Sequence, residues 1–380
     1  MKKLRVGVVY GGRSGEHEIS LASAAAVFQR LDPEKYEPIA IRIEKDGRWT
    51  LPRKPPSLVS AADVIHAAAA DGGRGSADGA REAHLVAHPG ADTMLTITRR
   101  DDRVSVSTLA LDVVFPVLHG PYGEDGTVQG LLELANVAYV GAGVLASAVG
   151  MDKAVMKLVF TAKGLPVCDY EVVLLRDWKN DERAVMQSAI SRLGFPLFVK
   201  PANLGSSVGI SKAKHAAELR DAITLAGEFD RKIVIEAAVP NAREIECAVL
   251  GNDDPEASVP GEIIPSREFY DYEAKYLDDA SKTIVPAKLT RTQTKEVRRL
   301  AVEAFKAIDG AGMARVDFLL AGDSGVVYLN EVNTIPGFTA ISMYSKMWDA
   351  SGVPYPKLLD RLIGLAIERH AEKQQRRTSM

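Results

Sequence analysis

The opening of the chain constrains its fold most strongly, because it has the pattern of a buried strand, a glycine turn and a helix. Residues 4–10 are an apolar run of the kind that is covered on both faces in a parallel sheet, and two glycines follow as the turn. Helical periodicity predicts a helix over residues 17–30. Further strands are predicted over residues 36–43 and 111–118, and the second of these ends at His119. Because open α/β sheets bind ligands at the carboxyl ends of their strands, the glycine turn and His119 lie where a ligand is expected.

Length, composition and charge exclude several classes of protein. A chain of 380 residues exceeds the usual size of one hydrophobic core, so two or three domains are expected. The net charge of −3 gives no reason to expect a nucleic acid or a membrane as partner. Cys168 and Cys247 are far apart and lack metal-ligand spacing, which favours a reducing, cytoplasmic location. The longest uncharged stretch, residues 137–151, is too short to span a bilayer, and the start of the chain predicts a strand rather than a signal peptide.

Changes of pattern along the chain divide it into three predicted domains. The first covers residues 1–144 and contains a surface insertion at about 53–103, where periodicity is lost and Ala, Gly, His and Asp dominate. Residues 145–239 form a central domain that begins with a helix over residues 146–163 and continues with strands. Residues 240–380 form the third domain, and its final helix has leucine spacing suited to packing on the rest of that domain.

Residues 313–333 have the pattern of a β-hairpin with one polar face. Two apolar runs flank a glycine-containing turn, and centring that turn on Asp323 places Arg315 opposite Glu331. Because side chains alternate along a strand, one face then carries three oxygen-bearing side chains and one guanidinium, those of Asp317, Glu331, Asn333 and Arg315. Hard oxygen ligands of this kind suit Mg²⁺ that shares its shell with substrate phosphates. The pattern therefore favours an enzyme that uses a nucleotide.

The alternative interpretation is a surface hairpin whose polar face meets water, as is common in antiparallel sheets. Two details count against it. Asn333 supplies a neutral oxygen where a solvated strand would as readily carry threonine or lysine. A Pro-Gly turn follows directly and places the Gly337 amide beside the predicted metal site.

A second group of residues suits phosphate binding. Lys200 ends a predicted strand, and the small-residue loop after it contains Ser206 and Ser207, so backbone amides can converge on phosphate oxygens beside a lysine charge. A flexible linker is the alternative, but a linker is not expected between two buried strands. The spacing is not that of a P-loop. Three more charged residues stay ambiguous between nucleotide contacts and other roles: Lys153, Glu236 and Glu244.

Seven short motifs follow one another along nearly the whole chain, at residues 11–20, 119–126, 151–153, 200–209, 269–276, 315–317 and 331–337. Together they resemble the ATP-grasp superfamily and, within it, the D-alanine–D-alanine ligase family. The resemblance implies an α/β protein, α+β in its ATP-binding part, with an N-terminal parallel-sheet domain, a small central lid domain and a C-terminal mixed-sheet domain. One departure is the Ala-Ala-Val at residues 237–239, where the family often has charged or bulky residues.

The resemblance implies an ATP-dependent ligase. Family members phosphorylate the carboxylate of one D-alanine with ATP, and the amine of a second D-alanine attacks the resulting D-alanyl phosphate. The products are D-alanyl-D-alanine for peptidoglycan synthesis, ADP and phosphate. Two Mg²⁺ ions, for which Mn²⁺ is a substitute, are expected on Asp317, Glu331 and Asn333. The residues implied to bind ATP are Lys153, Lys200, Ser206, Ser207, Glu236, Val239, Glu244 and Lys275.

The resemblance also assigns substrate and catalytic roles. Glu16, Ser206 and Tyr276 are implied to form a hydrogen-bonded triad that closes a loop over the site. Arg315 and the Gly337 amide are the implied donors to the oxyanion of the tetrahedral intermediate, and they complete the catalytic set. The residues implied to bind D-alanine are Glu16, His119, Arg315 and Ser342. A homodimer formed through the first domain is implied as well.

Two alternatives stay open on the sequence. Another carboxylate ligase of the same fold, such as a D-alanine–D-lactate ligase, is disfavoured by the intact Tyr-Glu-Ala-Lys-Tyr loop that ends at Tyr276. A non-catalytic nucleotide-binding regulator is expected to lack a metal ligand or Arg315, and none of these residues is missing.

Overall fold

The first of three sheets carries the parallel strands. The structure, a computed structural model, describes residues 2–57, 81–90, 93–100, 103–265, 282–339 and 341–377. The strands of the first sheet are β1 (Leu4–Gly11), β2 (Tyr36–Ile43), β3 (Trp49–Leu51), β4 (Arg81–Leu85), β5 (Met94–Arg100), β6 (Arg103–Leu109) and β7 (Val113–Val117). Their order is β6-β5-β4-β3-β2-β1-β7. Strand β1 lies between β2 and β7 and is parallel to both. The α/β class is therefore confirmed.

The strand and helix that open the chain match their prediction because both are buried. Val6 and Val8 of β1 have no exposed surface, and helix α1 (His17–Arg30) packs an alanine-rich face on this strand. Ser20 ties the elements together, because its Oγ accepts a 2.7 Å hydrogen bond from the Gly11 amide and donates to the Val117 carbonyl. The carboxyl ends of β1 and β7 are thereby held side by side.

The interval predicted as an irregular surface insertion contains strands. β4, β5 and β6 extend the first sheet by antiparallel pairing, so this sheet is mixed rather than parallel throughout. Few of their residues face the core, such as Ala83 and Met94, and β6 is exposed up to its last residue. Valines alternate with serines at residues 104–107 of β6, but Val104 and Val106 are exposed, so this alternation belongs to an edge strand and not to a buried face. Residues 58–80 of the interval lie outside the described residues.

The helix predicted over residues 146–163 is two helices. After α2 (Thr127–Leu134), helices α3 (Val144–Met151) and α4 (Lys153–Ala162) meet at Asp152, whose backbone is extended. The Asp152 carboxylate accepts two 3.1 Å hydrogen bonds from backbone amides of α4 and so caps that helix. Continuous apolar periodicity across the junction concealed this break in the sequence. Lys153 consequently begins a helix rather than lying inside one.

The second sheet is antiparallel and belongs to the middle of the chain. Its strands are β8 (Tyr170–Leu174), β9 (Leu197–Pro201), β10 (Ser211–Ala213) and β11 (Lys232–Ala237), in the order β10-β9-β11-β8. Helices α5 (Leu175–Asn180), α6 (Glu182–Leu193) and α7 (Ala216–Phe229) belong to the same part of the chain. Val199 and Ile235 point into the core beside these helices. Because side chains alternate, the neighbouring Lys200 and Glu236 point to the other face.

The third sheet carries the predicted hairpin. Its strands are β12 (Ala242–Gly251), β13 (Glu256–Ala257), β14 (Gly261–Ile264), β15 (Lys282–Ile284), β16 (Gly312–Ala321) and β17 (Val327–Asn333). The order is β15-β14-β12-β16-β17, with β13 paired to β12, and these named strands pair antiparallel. A parallel bridge between Val167 and Leu329 gives the sheet a mixed edge. Helix α8 (Arg291–Ala307) packs on β12, β16 and β17. Residues 269–276, one of the quoted motifs, lie outside the described residues.

The predicted register of the hairpin is wrong, although its polar face is preserved. Arg315 pairs with Asn333 instead of Glu331, and Asp317 pairs with Glu331. A bulge lies at this point, because Phe318 pairs with Leu329 and one residue, Asn330, is left between the two paired positions of β17. The turn and the bulge together move the pairing by two residues, which returns each side chain to the predicted face.

The last helix packs on two sheets rather than on the third alone. Helices α9 (Met343–Ala350) and α10 (Tyr355–Gln374) end the described chain. Leu358 and Leu362 of α10 are fully buried in a cluster that contains Tyr10 and Phe115 of the first sheet and Leu250 of the third. This shared core holds the carboxyl end of β1 next to the third sheet. Within the described ranges, no helix combines the length and apolar content needed to cross a bilayer.

Candidate active site

The polar face of the β16–β17 hairpin is one connected group of side chains, which we call the hairpin face: Arg315, Asp317, Glu331 and Asn333. Arg315 donates two hydrogen bonds to the Asp317 carboxylate, from Nε to Oδ1 at 2.7 Å and from Nη2 to Oδ2 at 2.6 Å. Asn333 Nδ2 donates to Asp317 Oδ2 at 3.0 Å. Glu331 lies directly opposite Asp317 in the strand pairing. The structure thus brings together all four residues that alternation predicted.

The donor set of the hairpin face suits magnesium. Asp317 and Glu331 offer carboxylate oxygens and Asn333 offers an amide oxygen, and protein-bound Mg²⁺ is commonly held by one or two carboxylates with water and substrate phosphates. In the part of the chain that the structure describes, no group of three or more His, Cys, Asp or Glu side chains can hold a metal ion. With two carboxylates and one amide, the face suits an ion that shares its shell with water and a nucleotide.

A buried carboxylate on the neighbouring strand supports Arg315. Glu246 of β12 pairs with Asp317 in the sheet, and its Oε1 lies 3.3 Å from Arg315 Nε. Burial disfavours the charge on Arg315, but Asp317 and Glu246 outweigh burial and raise its pKa well above the ordinary value. The guanidinium is consequently charged at every pH where the protein is folded. Sequence reasoning missed Glu246, although its alternation with Glu244 was visible.

Lys153 connects the glycine-serine loop to the hairpin face. Its Nζ donates a 2.6 Å hydrogen bond to the Leu204 carbonyl and lies 3.7 Å from Glu331 Oε2. Ser206 and Ser207, further along this loop, have φ angles of 50° and 60°, a left-handed conformation that side chains adopt at a cost. Two such residues in succession turn the loop sharply, which is consistent with backbone amides converging on an anion.

Lys200 lies between the second sheet and the hairpin. Its Nζ donates to Glu236 Oε2 at 2.8 Å and to Asn330 Oδ1, on the bulge of β17, at 3.3 Å. Burial disfavours the ammonium charge, but Glu236 outweighs burial and raises the pKa of Lys200. Lys157 of α4 lies 3.3 Å from the other oxygen of the same carboxylate. Sequence reasoning missed both Asn330 and Lys157.

Two members of the predicted triad meet across the first and second sheets. The Ser206 hydroxyl donates a hydrogen bond to the Glu16 carboxylate, so the glycine-serine loop is anchored to the glycine turn after β1. Tyr276, the third member, and Lys275 lie outside the described residues.

Glu124 borders the same place as Glu16, and sequence reasoning gave it no role. Its Oε1 accepts a 2.8 Å hydrogen bond from the Gly120 amide. A Cβ added at Gly205 would lie 3.2 Å from Glu16 Oε2 and 3.9 Å from Glu124 Oε1, so both carboxylates border this position of the loop. Burial, followed by the charge of Glu16, raises the pKa of Glu124 to about 8. The sequence signal that could have identified Glu124 is its position in the motif at residues 119–126.

The turn after the hairpin brings the remaining predicted site residues together, two from the turn itself and His119 from beyond the end of β7. His119 Nδ1 lies 3.1 Å from the carbonyl oxygen of Ile335, and burial lowers the pKa of His119, so the ring is neutral at pH 7. The Thr339 amide donates to Ser342 Oγ at 3.0 Å. A Cβ at Gly337 would lie 3.2 Å from that oxygen, so Ser342 leaves little room for a side chain there. His119, Gly337 and Ser342 therefore gather beyond the end of β17.

The last two predicted ATP contacts lie where the second sheet passes to the third. Val239 is half-buried in the connection from β11 to β12, and Glu244 lies on β12 opposite Leu319. Glu236 is the penultimate residue of the preceding strand, β11. The residues predicted to bind ATP thus follow the chain from Lys200 to the sheet that carries the hairpin face.

Two buried lysines, Lys153 and Lys200, beside a carboxylate-bearing hairpin fit an enzyme of the ATP-grasp class, and similar solved structures support this assignment. The D-alanine-D-alanine ligase from Coxiella burnetii aligns with a TM-score of 0.82 at 40% identity, covering 99% of this chain and 97% of that chain. The VanG D-Ala:D-Ser ligase from Enterococcus faecalis aligns with a TM-score of 0.81 at 34% identity, covering 96% of this chain and 100% of that chain.

Sequence comparison narrows the class to one family. Models of the D-ala D-ala ligase N-terminus and C-terminus match residues 5–142 and 159–364. A D-alanine–D-alanine ligase of Heliobacterium modesticaldum is 47% identical over 378 residues, covering 100% of this chain and 98% of the relative. One of Solibacter usitatus is 49% identical over 372 residues, covering 98% of each. The chain belongs to the D-alanine–D-alanine ligase family.

Proposed function

We propose that this chain joins two D-alanine molecules to D-alanyl-D-alanine for peptidoglycan synthesis and converts ATP to ADP and phosphate. Family membership supports this reaction. The observation that carries the proposal is the hairpin face, with Lys153 3.7 Å from Glu331 and Lys200 3.3 Å from the adjoining Asn330. Phosphoryl transfer needs cations and oxygen ligands arranged around one polyphosphate. These residues supply both.

Asp317, Glu331 and Asn333 would hold two Mg²⁺ ions, with Mn²⁺ as a substitute, and bound ions would neutralise charge on the polyphosphate. Lys153, Lys200 and Lys275 contact its oxygens, while Ser206, Ser207, Glu236, Val239 and Glu244 complete the ATP site. In the first step, a carboxylate oxygen of the first D-alanine attacks the γ-phosphorus and ADP leaves. Glu16 orients that substrate through its ammonium group, beside the neutral ring of His119.

The second step forms the peptide bond. The amine of the second D-alanine attacks the acyl carbon of the D-alanyl phosphate, the amine loses a proton, and phosphate leaves. Arg315 and the Gly337 amide donate hydrogen bonds to the oxyanion that develops at that carbon. Ser342 receives the carboxylate of the second D-alanine. Because an acyl phosphate hydrolyses readily, closure of the loop through Glu16, Ser206 and Tyr276 protects it from water.

We also infer the organisation of the protein around this site. The proposed domains are residues 1–144, 145–239 and 240–380, which agree with the first sheet ending at Val117 and the second occupying the chain from Tyr170 to Ala237. We expect a homodimer formed through the first domain, in the cytoplasm, without a nucleic-acid or membrane partner. Light scattering of the purified chain tests the dimer, because a monomeric mass would contradict it.

The reaction is tested by phosphate release from ATP with the purified chain and Mg²⁺. D-alanine should support release and yield D-alanyl-D-alanine by mass spectrometry, whereas L-alanine should not. Mixtures of D-alanine with D-lactate or D-serine test the second site, and the expected product remains the D-alanine dipeptide. Absence of D-alanine-dependent release would overturn the proposal, and predominant formation of the depsipeptide would favour a D-alanine–D-lactate ligase.

A further inference from the structure

Lys157 lies in a place where a lysine is costly. Its side chain on α4 is 1% exposed, and its Nζ lies 3.3 Å from Glu236 Oε1. Its ammonium also lies 5.7 Å from the centre of the Tyr170 ring. Because a lysine is rarely fully buried unless it is paired, this position calls for an explanation beyond packing.

The Glu236 carboxylate pairs with two ammonium groups, one at each oxygen. Lys200 Nζ donates to its Oε2 at 2.8 Å, while Lys157 lies beside its Oε1. Glu236 is 2% exposed, and although burial opposes its charge, the two lysines outweigh burial and lower its pKa. One negative and two positive charges leave this group with one excess positive charge away from water. That excess is unfavourable in the empty protein and favourable next to a polyphosphate.

Lys200 has to share its charge between Glu236 and a phosphate when a nucleotide binds. In the structure its ammonium is shared between Glu236 and Asn330. The ammonium has three donors, of which Glu236 and Asn330 occupy two, so a phosphate oxygen can take the third. The phosphate and the Glu236 carboxylate then compete for the charge of one cation, and a buried carboxylate whose cation is drawn away is costly. Lys157 approaches the same carboxylate from its other oxygen and can compensate Glu236 by itself.

We propose that Lys157 is a positioning residue for the nucleotide phosphates: it compensates Glu236 from the side of α4, so that the charge of Lys200 is available to ATP. The inference rests on the proposed role of Lys200 as a phosphate ligand. Lys157 itself touches no phosphate in this scheme.

The test compares Lys157→Met with Lys163→Met, which removes an exposed lysine at the end of the same helix. Nucleotide affinity is measured by calorimetry without D-alanine, using ATP, ADP and adenosine as probes. A charged hydrogen bond is worth about 1.5–3 kcal/mol, so Lys157→Met should weaken the binding of ATP and of ADP about tenfold to a hundredfold. The affinity for adenosine, which lacks phosphates, should change by less than about twofold. Lys163→Met should bind ATP, ADP and adenosine with the same affinities as the unmodified protein.

The melting temperature is an independent measurement, and the proposal predicts that it does not fall when nucleotide affinity does. Replacing Lys157 with methionine removes the excess buried charge and leaves a neutral Glu236–Lys200 pair, so the empty variant should melt at or above the temperature of the unmodified protein. If Lys157 has only a structural role, the variant should have a lower melting temperature and should lose affinity for adenosine and ADP equally. That result overturns the proposal. Unchanged ATP affinity overturns it too.

Lys157→Gln provides the same comparison if the methionine variant does not fold, because the amide donates to Glu236 without a charge. The variant should again lose more affinity for ATP and ADP than for adenosine, and equal losses of affinity contradict the proposal. The nucleotide measurements need no turnover. Failure of D-alanine-dependent ATP hydrolysis in the unmodified protein would therefore remove the proposed ligase activity while leaving the Lys157 comparison decisive.

Discussion

Replacing Arg315 with methionine separates the structural and catalytic roles of the hairpin face. The guanidinium donates two hydrogen bonds to Asp317 and lies 3.3 Å from Glu246, so it compensates two carboxylates from adjacent strands. The side chains of Arg315, Asp317 and Glu246 are 21%, 13% and 7% exposed, so water screens their interaction only weakly. Methionine is of similar length but leaves both carboxylates without this cation.

The expected magnitudes follow from this arrangement. Removing one partner of a buried ion pair costs about 3–5 kcal/mol, so Arg315→Met should lower the free energy of unfolding at pH 8 by about 3 kcal/mol. Loss of one oxyanion donor lowers kcat by about a hundredfold to a thousandfold. Arg315→Lys restores a charge but not the planar fork, so it should recover most of the stability while kcat stays at least about tenfold low.

Urea unfolding of the metal-free proteins measures the first quantity, and phosphate release at saturating ATP, Mg²⁺ and D-alanine measures the second. A variant Arg315→Met with kcat within about tenfold of the unmodified protein would remove Arg315 from the oxyanion site, because a lost donor costs more than that. Unchanged unfolding free energy at pH 8 would instead contradict the argument that Arg315 compensates Glu246 and Asp317.

Three further predictions concern other residues of the site. Glu331→Gln should abolish turnover without changing the circular dichroism spectrum, and activity retained at saturating Mg²⁺ would exclude Glu331 as a metal ligand. The pKa of Glu124 is raised to about 8, so between pH 5 and 8 the folded protein keeps a proton that the unfolded chain has lost, and stability falls as pH rises, by at most about 1.4 kcal/mol per unit. Glu124→Gln should flatten this decline in urea unfolding, and parallel curves for the two proteins would contradict the raised pKa. Tyr276→Phe should relax the preference for D-alanine over D-lactate at the second site, and an unchanged product ratio in competition would argue against that role.

Burial decided which elements the sequence could predict. Strand β1 and helix α1 matched because apolar residues cover their contact faces, and the resulting periodicity is visible without any knowledge of neighbours. Strand β6 was missed although Val104 and Val106 alternate with serines, because both valines are exposed and the stretch before them was interpreted as an insertion. The break at Asp152 was missed because apolar residues continue on both sides of it. Periodicity therefore records which face is buried, but neither an exposed edge nor a cap within an apolar run.

Residue type and alternation predicted the hairpin face, the family resemblance implied most of the other site residues, and three of the missed residues are recognised only through contacts with another residue. Arg315 and Asp317 stand out as charged residues on a strand of a hairpin. Glu246, Lys157 and Asn330 gain their meaning from long-range contacts with Arg315, Glu236 and Lys200, which a strand or helix pattern does not contain. A residue that supports another from a different element can be recognised only once the fold places the two together.

The bulge at Asn330 shows how one residue decides the chemistry of the hairpin. Next to the turn, Phe318 pairs with Leu329, and continuing that register would set Glu331 opposite Val316, whose side chain is fully buried in the core. The extra residue instead brings Glu331 opposite Asp317, so the two carboxylates share a face. The sequence contains a trace of this, because Asn330 and Glu331 are consecutive polar residues in a strand that otherwise alternates. The residue that restores the register also supplies the amide oxygen that Lys200 contacts at 3.3 Å, so the same insertion aligns the carboxylates and connects Lys200 to their strand.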